Sequence, residues 1–250
     1  MLSVELIIYV LFVYILAGFV KGVVGVGLPT ISLAMLATVL GLKDAMLILL
    51  APSLITNLVQ ALAGGKLYEL IKRLWIFLLS LFLLTWFSTK VLVSADSNLL
   101  KIGLGIILLL YCASYFSQLK IPRLGKKEKW LSPLMGGLTG ITTGLTGTFV
   151  MPGVLYLQRI ESDRNALVQA MGLSGSMATI SLGVSLGGRG VWSDELLVIS
   201  CYMVIPALVG MSLGNAVRSK IDEGLFRKLF FFSLSAIGMW ILISAVSNLN

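Results

Sequence analysis

The sequence predicts an all-α, polytopic transmembrane protein of about seven to nine hydrophobic segments in two related, inverted repeats with broken or re-entrant helices. Three observations predict it. Of 250 residues, 58% are hydrophobic and 12% charged, with a mean hydropathy of +0.99, whereas soluble domains carry about a quarter charged residues. Apolar runs of the length that crosses a hydrocarbon core, about 17 to 25 residues as a helix, recur from end to end. A pattern of glycines followed by proline occurs from Gly18 and again from Gly136, half a chain later, and such duplication is typical of secondary transporters and channels.

Apolar runs between charged breaks fall at 3–20, 22–41, 45–63, 74–94, 99–118, 131–157, 166–186, 196–217 and 225–246. The first, "MLSVELIIYVLFVYILAGF", carries Glu5 where a signal peptide is basic and lacks an A-x-A site, so it reads as a retained segment. Segments 22–41 and 131–157 are interrupted by glycine and proline, and each reads as a half-helix or re-entrant hairpin as readily as a crossing. Between the fifth and sixth runs lies "KIPRLGKKEK", 120–129, which the positive-inside rule assigns to the cytoplasm together with "KLYELIKR" at 66–73. This divides the chain into a first repeat (1–118), a basic linker (119–130) and a second repeat (131–250). Whether 131–157 crosses once or dips and returns stays open; the second option keeps Arg218, Lys220, Arg227 and Lys228 inside as well. Five segments before the linker are an odd number, so the second copy is expected inverted, with the GGK turn (64–66) and the GGR turn (187–189) on opposite sides.

Gly18-x-x-x-Gly22 and Gly136-x-x-x-Gly140 fit close helix–helix contacts. The denser Gly22, Gly25, Gly27 before Pro29, and Gly140, Gly144, Gly147 before Pro152, read as unwound backbone followed by a new helix start. Such backbone survives in a membrane only where protein or a wet cavity satisfies it, and the helix start offers free N–H groups and partial positive charge to an anion. Thr139, Thr142, Thr143, Thr146 and Thr148 add hydroxyls at the second break, and Lys21 an ammonium at the first. Lys21 also has plainer readings, a snorkelling residue or the marker of a turn between two spans. Ser53, Thr56, Asn57 and Gln60 share one helical face, with Gln169, Ser174, Ser176 and Thr179 in the corresponding segment; interhelical hydrogen bonding explains these equally well. The candidate substrate site is therefore Lys21, Gly22, Gly25, Gly27, Thr30, Asn57, Gln60, Thr142, Thr143, Gly144, Thr146, Gly147 and Ser174, with Pro29 and Pro152 as helix-break residues and Asp44 the acid retained as a proton site.

At "GFVKGVVGVGLPTISL", "GLKDA", the Asn57 segment ending "GGK", and "GGLTGITTGLTGTFVMP", the chain resembles the sulfite exporter TauE/SafE family, also called the four-toluene-sulfonate uptake permease family, over essentially its full length. The resemblance implies a two-repeat carrier of the bacterial inner membrane that moves sulfite, an organosulfonate or a related small anion, most naturally outward. The chain departs from the family where Val26, Gly27 and Leu28 stand in place of consecutive glycines and in carrying Lys21, so its substrate can differ.

Other classes fare less well. "GLSG" at 172–175 matches the G-x-S-G string of intramembrane serine proteases, but the chain has no histidine to act as base. Cys112 and Cys201 have no metal-ligand spacing and read as small buried apolar residues; no cofactor or metal is expected. The charge of +8 lacks the aromatic-interleaved basic face of a nucleic-acid binder. The expected partners are a small anion and the lipid bilayer. A non-transporting scaffold is the alternative, and oligomeric state, the homo-oligomer included, stays open.

Overall fold

Polar and apolar side chains are distributed inside out. Lys21, Thr30, Asn57, Thr143, Gln169 and Ser174 are buried, while Phe12, Phe87, Phe232 and Trp240 are exposed. In water this arrangement would be unstable; in a bilayer it places hydrocarbon against lipid and polar groups against each other. The computed structural model describes residues 3–117, 128–161, 163–218 and 220–247. The basic run 120–127, most of the expected linker, lies outside the described residues.

Helices account for nearly all of the described chain: α1 (Val4–Val24), α2 (Leu28–Leu36), α3 (Leu42–Leu62), α4 (Leu67–Ser94), α5 (Ser97–Phe116), α6 (Glu128–Thr146), α7 (Leu155–Ile160), α8 (Arg164–Gly187), α9 (Asp194–Val217) and α10 (Glu223–Ser247). A wide π-type turn, Val150–Val154, precedes α7. Seven of them, α1, α3, α4, α5, α8, α9 and α10, have the length and apolar composition of membrane spans; the protein is a multi-pass membrane protein. Each side of the basic run has the same order, a long helix, a break, a short helix and three long helices.

The two sets interlock. α1 packs on α9 and α6 on α4, while α3 lies against α8 and α5 against α10. Glycine seams allow the close approach: a Cβ at Gly214 would stand 2.1 Å from the Phe19 carbonyl oxygen, and one at Gly136 2.3 Å from that of Phe77. Contacts that rise together along both helices (Gly18 on Ala207, Gly22 on Met211; Gly136 on Phe77, Gly140 on Leu81) make α1/α9 and α4/α6 parallel pairs. Opposed contacts (Gly172 on Ala61, Gly175 on Asn57, Ser53 on Thr179) make α3 and α8 antiparallel. Lys66 directly precedes α4, whereas Arg189 donates to the Trp86 carbonyl at 2.6 Å, about 30 Å further along that helix at 1.5 Å per residue. The GGK and GGR turns thus sit near opposite ends of α4.

Two details differ from the sequence reading. α1 does not stop at residue 20 but runs through Lys21 to Val24, because the glycines that break it are the left-handed ones, Gly25 (φ 92°) and Gly27 (φ 127°). Cys201 is exposed, not buried; Cys112 is buried.

Candidate functional site

Lys21 occupies the last turn of α1 and is 2% exposed. It is neither at a turn nor at a lipid-facing helix end. Its Nζ donates to Thr56 Oγ1 at 3.0 Å and to Asn57 Oδ1, one turn from the end of α3. Both partners are neutral, and among the described residues no carboxylate forms an ion pair with it. Asn57 is held in turn by its own amide, which donates to Ser53 Oγ at 3.2 Å.

The unwound Gly25–Gly27 backbone beside it is satisfied by side chains. Gln60 Nε2 donates to the Gly25 carbonyl at 2.9 Å, and Thr30 Oγ1 to that of Gly27 at 2.8 Å. Pro29 stands at the second position of α2, where its missing N–H costs nothing. A cavity of about 10 Å³ lies among Lys21, Gly25, Gly27, Asn57, Gln60 and Phe149. That is room for about one water, so the site is closed around its cation.

The second break ends its helix in the same way, on a left-handed glycine, and has different chemistry. Gly147 (φ 75°) ends α6 as Gly25 ends α1, and Thr143 stands four residues before it as Lys21 does before Gly25. A second cavity of about 10 Å³ is lined by Ser53, Thr143, Gly147, Phe149 and Thr179. Pro29 and Phe149 line both cavities and separate them. Here hydroxyls replace the ammonium.

A third, far larger cavity opens at the end of the protein where α7 ends and α8 begins. It holds about 660 Å³ and is lined by Arg159, Arg164, Arg218, Arg227, Glu161 and Gln158, among others. Val26 and Met171 form part of its wall and also part of the Lys21 cavity. Vestibule, cationic pocket and hydroxyl pocket therefore follow one another in series. Beside the vestibule, Arg73 reaches Glu128 at 2.7 Å and Glu161 at 3.4 Å, and Lys66 meets Asp163 at 2.9 Å. The half-exposed Lys66 ammonium holds the Asp163 carboxyl below the usual carboxylate range, and its own affinity for a proton is raised by that hydrogen bond.

The structure brings Lys21, Gly25, Gly27, Asn57, Gln60 and Pro29 together at one cavity and Thr143 and Gly147 at its neighbour. Thr30 caps the break from below. Gly22 faces α9, at Met211 and Gly214, and Gly144 faces α4, at Thr85 and Ser88; both serve helix contact instead. Thr142 Oγ1 donates to the Met151 carbonyl at 2.8 Å and Thr146 Oγ1 to that of Thr142 at 2.7 Å, so these hydroxyls secure the break. Pro152 lies within the wide turn, and α7 begins three residues later. Ser174 is fully buried and its Oγ has no partner among the described residues; it sits on α8 between Met171 and Ala178, which line the two small cavities. Asp44 is exposed in the first turn of α3, about 20 Å from Asn57 by helix rise. Sequence reasoning missed Phe149 and the arginine vestibule. Among the described residues no group of three or more acidic or cysteine side chains is placed to hold a metal.

No curated protein and no solved structure matches the chain. The model of one family, described as sulfite exporter TauE/SafE, matches residues 10–241. With nearly the whole chain covered, and a buried cation at the meeting point of two helix breaks in a multi-pass membrane fold, the protein belongs to the sulfite exporter TauE/SafE family, a family of membrane transporters for sulfur-containing anions.

Proposed function

We propose that the chain exports sulfite or a closely related small sulfur oxyanion across the bacterial inner membrane, and that Lys21 is the charge that receives it. The observation that carries this reading is the buried Lys21 ammonium, whose hydrogen-bond partners among the described residues are the neutral Thr56 and Asn57. An intramembrane cation without a counter-charge is costly. A small anion supplies that charge; an ammonium has three N–H groups, of which two are committed here.

Lysine and arginine collect at the vestibule end (Lys66, Lys72, Arg73, Arg159, Arg164, Arg218 and Arg227) against Lys43, Lys90, Lys101 and Arg189 at the other. The positive-inside rule makes the vestibule end cytoplasmic. On that assignment the two repeats, 1–118 and 131–250, are inverted, and the α1–α2 and α6–α7 hairpins enter from opposite faces. The pocket is open to neither side, so transport requires the hairpin tips at Gly25–Gly27 and Gly147–Phe149 to move. Alternating exposure of a midplane site between inverted repeats is the general mechanism of such folds.

The test is uptake of radiolabelled sulfite into proteoliposomes holding the purified protein and unlabelled sulfite. Protein-dependent exchange that competes with sulfonates and not with cations is the expected result. Vesicles no more permeable than protein-free ones would make the chain a non-transporting member and overturn the proposal.

A further inference from the structure

The geometry points to a second anion site, in the vestibule, separate from Lys21: the four arginines bind a small sulfur oxyanion at the protein surface before it enters the pocket. The inference rests on the anion-carrier reading above. Arg159 comes from α7, Arg164 from the first residue of α8, Arg218 from the C-terminal cap of α9 and Arg227 from α10. Four helices thus deliver four guanidinium groups to one concavity, and Glu161 is the carboxylate among its described lining residues. Among the described lining residues the formal charge by residue type is three positive, and Glu161 also shares its charge with Arg73, outside the cavity, at 3.4 Å.

Basic residues at cytoplasmic helix ends usually report topology alone. Two features here ask for more. Topological charges stand in water on separate loops, whereas these face one cavity of about 660 Å³, within the usual size range of small-molecule sites, roughly 300 to 1,000 Å³. The cavity also leads somewhere, because Val26 and Met171 are shared with the Lys21 pocket. A concave, low-dielectric cluster of one sign concentrates counter-ions and raises their rate of arrival. Guanidinium forks match the planar pairs of oxygens of a sulfur oxyanion better than ammonium does, while the Tyr111 and Ser114 side chains in the same lining offer further O–H donors. Capture by arginine and transfer to lysine is then a two-station route, wide and strongly charged outside, narrow and singly charged within.

Equilibrium binding of radiolabelled sulfite to the purified full-length chain in detergent separates the stations. Wild type is expected to bind two sulfites, one of them weakened several-fold when salt rises from about 50 to about 300 mM, as screening of an exposed site requires. Lys21→Met should keep the salt-sensitive site and lose the other. Arg159→Gln/Arg227→Gln should lose the salt-sensitive site, with at least a tenfold fall in its affinity; Arg164→Gln/Arg218→Gln repeats the test should the first pair fail to fold. A Lys21→Met variant that still binds two sulfites like wild type would overturn the function proposed above and leave this inference standing. Arginine variants that bind two sulfites like wild type, or a wild type whose single site disappears in Lys21→Met, would overturn this inference and leave the function. A salt-sensitive signal displaced by short-chain phosphatidylglycerol and not by sulfate would assign the arginines to a lipid headgroup and also overturn it.

Discussion

Replacing Asn57 by aspartate tests the environment of Lys21 with almost no change of shape. Asn57 Oδ1 already accepts from Lys21 Nζ, beside a Thr56 hydroxyl at 3.0 Å, so a carboxylate there would stand in direct contact with the ammonium. At about 3 Å and an effective dielectric constant of about 20, the added attraction is roughly 332/(20 × 3), or about 5.5 kcal/mol. Desolvating the new carboxylate takes back several kcal/mol of this. A net of about 2.7 kcal/mol, half the Coulomb figure, already corresponds to a hundredfold loss of affinity for any anion that must displace it. The Ser53 hydroxyl, which now accepts from the Asn57 amide, can turn to donate to the carboxylate, so the surrounding network survives. Asn57→Asp should therefore bind sulfite at least about a hundredfold more weakly by titration calorimetry, with a thermal midpoint in detergent no lower than wild type. Sulfite affinity unchanged in a folded Asn57→Asp would mean that the anion does not meet Lys21, and the reasoning would fail.

Three further outcomes follow from other parts of the fold. Gly214→Leu should force α1 and α9 apart, since even a Cβ there would lie 2.1 Å from the Phe19 carbonyl; about 1 to 3 kcal/mol of overpacking should appear as a lower detergent melting temperature, while Gly103→Ala, which meets nothing within 4 Å, should leave it unchanged. The Lys66–Asp163 pair links the α3–α4 turn to the start of α8: because the Asp163 carboxyl is held below its ordinary pKa, its stabilisation is present above the ordinary aspartate range and is lost as pH falls through the lowered value, so the acid limb of a pH–melting profile should flatten in Asp163→Asn. Transport should be electrogenic, because no carboxylate among the described residues forms an ion pair with Lys21 and an anion leaving a negative interior gains about 2.3 kcal/mol per charge per 100 mV; flux should scale with a clamped potassium-diffusion potential and persist in Asp44→Asn, and voltage-insensitive flux that follows the pH gradient and collapses in that variant would show proton coupling.

The two breaks were legible because glycine and proline announce backbone that cannot stay helical, yet glycine has two uses in a membrane and the sequence merges them. Gly18, Gly22, Gly136, Gly140 and Gly144 recur every fourth residue and lie on helix seams, whereas Gly25, Gly27 and Gly147 take left-handed dihedrals and make the breaks. Spacing could have separated these roles; density could not. That is why the end of α1 was placed four residues early and why Gly22 and Gly144 entered the candidate site. The polar residues that share one face of α3, Ser53, Thr56, Asn57 and Gln60, are buried, and Asn57 and Gln60 reach the cavity. The threonines were read as anion donors, but Thr142, Thr143 and Thr146 give their protons to nearby carbonyls, a local bond open to any helical threonine. The vestibule had no local signal at all. Arg159, Arg164, Arg218 and Arg227 lie at the ends of four different helices, where each reads singly as a mark of topology, and only the interlocking of the two helix sets brings them to one cavity.

The central claim is that the Lys21 ammonium receives the transported anion, and sulfite counterflow into proteoliposomes by Lys21→Met measures it most directly. Methionine keeps the length and apolar stem and removes the charge, and a hydrogen bond to a charged group is worth about 1.5 to 3 kcal/mol. The variant should reach the membrane, elute as a folded species, and show a half-saturating sulfite concentration raised about 10- to 150-fold or no counterflow at all. Counterflow at the wild-type rate and wild-type half-saturation would contradict the account and leave Lys21 a structural residue that joins α1 to α3.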